Sequence, residues 1–330
     1  MLIRRVAGKA YSDPDIVSMI DDSGGLLDPR SLVQFRVRSL LHALKQFDGT
    51  LDDPFQRICG LASLAGFEVS AMSNLQRECE MHDAILVYLS GNSKKGTIFY
   101  NPEKSKGRII FSIAHEITHS FFPTTGTGAR FRSMCREDSR EAQELERLCD
   151  LGASELTLPQ GRFERVVARV GFGIGSVDGI AKEFGTSFEA TLYRMASAAD
   201  FPAAAGLARF RFRKGEEPRE DTRRTLDLFR REKAKQDGTP KPKYRRQSFH
   251  YSASFPMEYV IPWNKSFPVT SCIYRAAKTR QIEEGVELIP IGKAERQMMS
   301  ELQALRAPYQ RPEATAEWPD VLFLLRPHRP

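Results

Sequence analysis

The sequence predicts an α+β protein in three parts: a helix-and-sheet domain over residues 1–160, a helical segment over 161–200, and a small basic α+β module over 201–330. Three observations carry this. Apolar residues recur at helical spacing in "SLVQFRVRSLLHALKQF", "RIIFSIAHEITHSFF" and "QELERLCDLGASEL". Between the first two, "FEVSAM", "AILVYLS" and "GTIFYN" read as short strands, with "SGNSKKG" as the turn between the last pair. Charge is unevenly placed: residues 1–199 hold 24 basic and 25 acidic side chains, whereas 200–330 hold 25 and 17.

In chain order, residues 31–65 read as helices, with "PFQRICGLASLAG" following the first run. The three strands come next, then the histidine-bearing helix, which Pro123 ends. "TTGTGARFRSMCRED" reads as a Gly-containing loop before a second long helix from about Glu141 to Leu156, closed by Pro159. In "SVDGIAKEFGTSFEATLYRMASA" Gly185 breaks one short helix and Ser187 can cap the next, the pattern of a helix-turn-helix. "GLARFRFRK" reads as a strand and "FRREKAKQDGTPKPKYRR" as a linker or flexible arm. Beyond it, "SFHYSASF", "TSCIYRAA", "GVELIPIG" and "DVLFLLRP" read as strands around one helix near Ala294–Arg306.

Composition excludes several classes. A chain of 330 residues with 41% hydrophobic and 28% charged residues is that of a globular protein with a sizeable core. The N-terminal "MLIRRVAGKAYSDPD" lacks a signal-peptide apolar core, and no apolar run approaches the roughly 18–20 residues of a bilayer span, so a cytoplasmic protein without a membrane partner is expected. Five cysteines without a C-x-x-C pair suit reduced thiols. The basic C-terminal part suggests an anionic partner, nucleic acid being the commonest, with a solvated basic surface as the competing reading. Lys241, Lys243, Arg245 and Arg246 alternate with Pro and Tyr244, ahead of Phe249 and Tyr251. Cations interleaved with aromatics suit single-stranded DNA, where bases stack and phosphates are neutralised. A solvated linker is the alternative there.

The chemistry concentrates in His115-Glu116-Ile117-Thr118-His119. Residues four apart on a helix share a face, so both imidazoles can reach one tetrahedral zinc. Ile110, Ile113, Ala114, Ile117 and Phe121 fall on the other face, which can be buried while the histidines point into a cleft. Glu116 lies about 100 degrees round the helix from His115, beside the metal, where it can move a proton as the catalytic base. A catalytic zinc needs a third protein ligand. Glu146, flanked on its face by Ala142, Cys149, Asp150 and Ala153, is the candidate, with Glu141, Glu144 and Glu155 competing. Asp150 can hold a ligand histidine through its second ring nitrogen. Cys79 could place a thiolate on the open position of zinc and keep the site latent, and His82 could polarise a scissile carbonyl. An ordinary buried cysteine and a surface loop histidine are the competing readings.

"RIIFSIAHEITH" followed by "LERLCDLGASELTLP" resembles the ImmA/IrrE family of bacterial metallopeptidases, whose pattern is a His-Glu-x-Gly-His helix and then Glu-x-x-(Ala/Cys)-(Asn/Asp) closed by a proline. The resemblance is specific over residues 80–160. It implies a zincin-like metallopeptidase domain with one zinc per chain and Glu146 as third ligand, reaches the helix-turn-helix at 176–198, and is only architectural beyond 200, where the basic C-terminal module is expected to act as a sensor. It further implies hydrolysis of a helix-turn-helix repressor as substrate, which frees stress, mobile-element or defence genes; the basic C-terminal part adds nucleic acid as a candidate activator. Three departures stand out: Thr118 where the family has Gly, Thr157-Leu158 before Pro159, and Gly152 inside the second helix. A reading from another class is a DNA-binding transcriptional regulator with a structural or regulatory zinc, which would not require Glu116.

Overall fold

The computed structural model describes residues 3–25, 27–47, 52–73, 83–89, 92–122, 140–216, 241–263, 265–292, 296–309, 311, 314–315 and 317–328. Two compact units divide the chain, Met1–Val166 with Gly179–Ser187, and Val167–Asp178 with Phe188–Pro330.

The first unit opens on a small hairpin, β1 (Arg4–Val6) and β2 (Lys9–Tyr11), then α1 (Pro14–Asp22), α2 (Pro29–Phe47) and α3 (Pro54–Leu64). Asp13 and Asp53 cap α1 and α3 by accepting backbone N–H bonds, each just before a proline whose missing N–H suits the first helical turn. The hairpin and α1 have no counterpart in the sequence reading. Strands β3 (Phe67–Ala71), β4 (Ala84–Leu89) and β5 (Asn92–Tyr100) form a sheet ordered β3-β5-β4, with β3 parallel and β4 antiparallel to β5. β5 begins at Asn92, inside the stretch read as a turn.

Next come α4 (Lys106–His119), the histidine helix, and α5 (Arg140–Thr157). Pro123, Cys135 and the loop assigned to 124–138 lie outside the described residues. Ile110, Ile113, Ala114, Ile117 and Phe121 are all buried, as the periodicity of α4 requires, and pack with Ile58, Leu61, Ile98 and Leu148. Burying each isoleucine contributes about 1.5–3 kcal/mol. Arg36 of α2 donates to the Phe121 carbonyl and so ties down the chain just past α4. Helix α4 meets α5 closely at one point: a Cβ on Gly152 would stand 2.4 Å from Thr118 Cγ2.

Helices α6 (Gln160–Val170), α7 (Val177–Phe184) and α8 (Phe188–Ser197) follow. Gly185, at φ +67, ends α7, and a Cβ there would lie 2.6 Å from Pro54, so geometry and close approach both call for glycine.

In the second unit β6 (Ala204–Arg211), β7 (Lys243–Tyr251), β8 (Glu283–Ile291), β9 (Arg296–Arg306) and β10 (Val321–Pro327) form an antiparallel sheet ordered β7-β6-β10-β9-β8, joined by α9 (Cys272–Thr279). Its core includes Tyr244, Phe267, Ile273, Leu302 and Phe323. Three sequence readings are corrected here. Residues 296–306 form a strand rather than a helix, because Met298, Ser300, Leu302 and Ala304 are buried alternately. "TSCIYRAA" is a helix, because Ser271 caps it through the Ile273 N–H. Lys243–Arg246, read as the end of a flexible arm, instead begins β7, which continues into the strand expected in "SFHYSASF" and pairs with β6, while residues 217–240 lie outside the described ones.

Candidate metal centre

Helix α4 carries His115 and His119 on the face opposite its isoleucines, and α5 lays Glu146, Cys149 and Asp150 against them. His115 Nε2 and His119 Nε2 are 3.0 Å apart. The Glu146 carboxylate lies 3.1 Å from the first and 3.6 Å from the second. Ligand atoms about 2.0–2.1 Å from a tetrahedral zinc stand about 3.3 Å from one another. The 3.1 Å contact is made by Oε2 and the 3.6 Å one by Oε1, so all three separations are close to that spacing while the carboxylate straddles the two imidazoles.

Each histidine is held from behind. His115 Nδ1 is 3.0 Å from Asp150 Oδ1, and His119 Nδ1 is 3.3 Å from Cys149 Sγ. A carboxylate on the far nitrogen fixes the tautomer that presents Nε2 to a metal. His115, His119 and Cys149 form a cluster able to hold a metal, with candidate ligand atoms all within 4.8 Å of one another. The two nitrogens of an imidazole point to opposite sides of its ring, so an ion held by both Nε2 atoms cannot also reach the Cys149 sulfur beside His119 Nδ1. Cys149 therefore belongs behind the site, a role the sequence reading did not give it although it placed Cys149 on the face of Glu146.

Electrostatics follow from this packing. Burial opposes charge on His115, yet hydrogen bonds with Asp150 and Glu146 outweigh it and push the pKa up to about 10. Burial works the other way on Glu146, but its bonds to both histidines hold it well below the usual carboxylate range. Glu116 is pushed up by burial, with His119 and His115 opposing, and accepts a hydrogen bond from the backbone of Leu86 in β4. It lies close enough to His119, His115 and Glu146 to feel their charges.

The other candidates fall elsewhere. Cys79 and His82 lie outside the described residues. Lys241 is exposed, and Lys243, Arg245 and Arg246 belong to β7. Arg245 is 7% exposed and Tyr244 is fully buried, its hydroxyl donating to the Pro319 carbonyl at 2.8 Å, so Tyr244 has no face left for stacking on a base. Among the described residues no helix is long and apolar enough to cross a membrane.

Compared with known families, residues 76–196 match the peptidase M78 model described as IrrE N-terminal-like domain, which spans the histidine helix, α5 and the helices up to α8. Among solved structures, a Mycobacterium tuberculosis transcriptional regulator is similar at 13% identity and a TM-score of 0.50, over 94% of this chain and 80% of that one. The chain matches none of the curated proteins.

Proposed function

We propose that this chain is a metal-dependent regulatory protein whose first unit is a zinc peptidase. The observation that carries the reading is the convergence of His115 Nε2, His119 Nε2 and the Glu146 carboxylate, with separations of 3.0–3.6 Å. Two imidazoles and a carboxylate suit zinc by ligand type. These three residues would hold the ion, and Asp150 keeps the His115 ring in its ligating tautomer. Zinc, when bound, supplies Lewis-acid polarisation of the scissile carbonyl and acidifies water. Glu116 takes a proton from the attacking water and passes it to the leaving amine. Strand β4, which pairs only with β5 among the described residues, offers an edge beside Glu116 on which an extended peptide can add as a further strand. The substrate is a helix-turn-helix repressor, following the resemblance of the two helices to repressor-cleaving peptidases, and the basic second unit senses nucleic acid.

One observation favours a second reading. The fold likeness across 94% of the chain is to a protein titled a transcriptional regulator. In that reading α7 and α8 bind DNA and the metal is structural or regulatory. Against it, structural zinc is almost always closed by four protein ligands, whereas three converge here among the described residues. The deciding experiment incubates wild type and Glu116→Gln with the helix-turn-helix repressor encoded beside the gene, with and without single-stranded DNA, while metal content and duplex binding are measured. Cleavage by wild type alone establishes the peptidase, and dependence on DNA assigns the sensor. If Glu116→Gln keeps zinc and biological function and neither protein cleaves, the DNA-binding reading stands.

A further inference from the structure

We infer that the first unit binds a small molecule carrying a phosphate or carboxylate group in a cleft separate from the metal centre, with Arg57 and Arg162 as the anion-holding pair. The cleft has a volume of about 810 Å³ and is walled by α2, by Arg57 of α3 and by residues from the end of α5 into α6. That size lies within the roughly 300–1,000 Å³ of small-molecule sites. His115, His119, Glu146 and Asp150 do not line it.

Arg57 carries the argument. Its side chain lies in a residue only 7% exposed, yet it faces the cleft. Nη2 donates to the Phe184 carbonyl at 3.5 Å, while Nη1 has no hydrogen-bond partner among the described residues. Buried donors in native proteins are almost always paired with protein, water or ligand, so an unpaired guanidinium nitrogen beside a cavity points to something that enters it. Arg162 stands at the same place: its guanidinium lies 5.1 Å from the Phe184 ring centre and that of Arg57 lies 5.9 Å from it. The carboxylate paired with Arg162 is Glu183, at 3.8 Å. Burial and the charge of Arg162 pull the Arg57 pKa down to about 10, against the opposing pull of Asp53, Asp52 and Glu183. Two cations held together with incomplete compensation gain from an anion between them, and a planar guanidinium matches a phosphate or carboxylate edge.

The rest of the cleft says what the anion is attached to. Val37, Leu41 and Leu44 give it an apolar wall, so the ligand carries an apolar or ring-bearing body rather than being a free inorganic ion. Glu155, also in the wall, is nine residues along α5 from Glu146, so an occupant touches the far end of the helix that bears the proposed third metal ligand. The inference holds whether or not the metal centre is a peptidase.

The test uses the full-length protein and three probes: inorganic phosphate, adenosine monophosphate and octanoate, each against sodium chloride at equal ionic strength. Thermal unfolding and calorimetry are measured on wild type, Arg57→Lys and Arg162→Gln. The expected result is that adenosine monophosphate or octanoate raises the Tm of wild type by about 3 °C at ten times Kd. Inorganic phosphate should do so less. Both variants should bind at least about tenfold more weakly with unchanged zinc content. The choice between the two organic probes separates phosphate from carboxylate. Should Arg57→Lys fail to fold, the partly exposed Arg162→Gln carries the comparison. The inference is overturned if no probe binds wild type at about 10 mM, if the variants bind as wild type does, or if the shift follows ionic strength alone.

Discussion

Replacing Gly152 by alanine sets two effects against each other. In an unhindered helix interior, alanine is better than glycine by about 1 kcal/mol. At this position the new Cβ would stand 2.4 Å from Thr118 Cγ2, 2.6 Å from its Oγ1 and 3.1 Å from its Cβ. Thr118 is fully buried and its hydroxyl donates to the Ala114 carbonyl at 3.0 Å. Rotation about χ1 offers no escape, since both γ atoms of this β-branched side chain are in the way. Helices α4 and α5 must part instead. Overpacking of this kind costs about 1–3 kcal/mol, so after the gain of about 1 kcal/mol the net effect is a loss of about 0–2 kcal/mol.

The same displacement reaches the metal centre, because α5 carries Glu146 and α4 carries both histidines. The Glu146 oxygens lie 3.1 and 3.6 Å from the two Nε2 atoms, so parting the helices carries the carboxylate away from both histidines. Zinc affinity is expected to fall about tenfold, or 1.4 kcal/mol. The assay is urea unfolding of the metal-free protein together with competitive zinc titration, on wild type, Gly152→Ala, Thr118→Gly and the double variant. The double variant should recover both stability and affinity relative to the alanine single variant, with a coupling energy of about 1–3 kcal/mol. A Gly152→Ala protein more stable than wild type, or an additive cycle, would refute the close-contact reasoning.

Other outcomes follow from the same geometry. Cobalt bound in place of zinc should lack the near-ultraviolet charge transfer of a thiolate ligand, because Cys149 lies behind His119; a strong band lost in Cys149→Ser would place the sulfur on the metal. Metal-free His115, raised from 6.5 to about 10, contributes stability that is full below about pH 6.5 and fades as pH rises through about 10, the sign expected for a histidine gaining acidic partners. Zinc needs the neutral ring, so binding at pH 7 should release close to one proton from His115, read by calorimetry in buffers of different ionisation heat; none released would contradict the pairing with Asp150 and Glu146. In the second unit, Asp320 is 1% exposed and accepts two bonds from Arg209 at 2.9 Å. Asp320→Ala should lose about 3–5 kcal/mol in unfolding experiments while zinc affinity stays unchanged, because it removes one member of a largely buried, two-bond ion pair.

Legibility in the sequence followed the reach of each interaction. The histidine helix was readable because helical periodicity states which face is buried and which is free, and Ile110, Ile113 and Ile117 are buried as that requires. Glu146 was one of four competing glutamates until the family resemblance singled it out, since nothing local says which residue of α5 faces His115. Cys149 was placed on the face of Glu146, but only the facing ring of His119 gives it a partner there. Strand β9 misled for a physical reason: Met298, Leu302 and Leu305 satisfy helical spacing, and Glu, Gln and Leu favour helices. The deciding facts are the burial of Ser300 and Ala304, which the pairing with β8 and β10 and the packing of α9 on the sheet create. Conversely, Ile273 and Tyr274 favour a strand, and the cap at Ser271 overrides them.

The departures at Thr118 and Gly152 become one event once the structure is in view. The family pattern that the sequence resembles places glycine between the second-last helical residue and the second histidine, a position where a neighbouring helix can come close. Here threonine stands at that place, and the missing space is supplied by Gly152 from the facing helix, within 2.4 Å of where a Cβ would meet Thr118. A small residue on either side of the contact allows the same approach of α5 to α4, and that approach brings Glu146 to the two histidines. Taken separately, a bulkier residue beside a ligand and a glycine inside a helix both weigh against a well-formed site. As a complementary pair they preserve the interhelical distance on which the metal centre depends, so the departures support the assignment of Glu146 instead of weakening it.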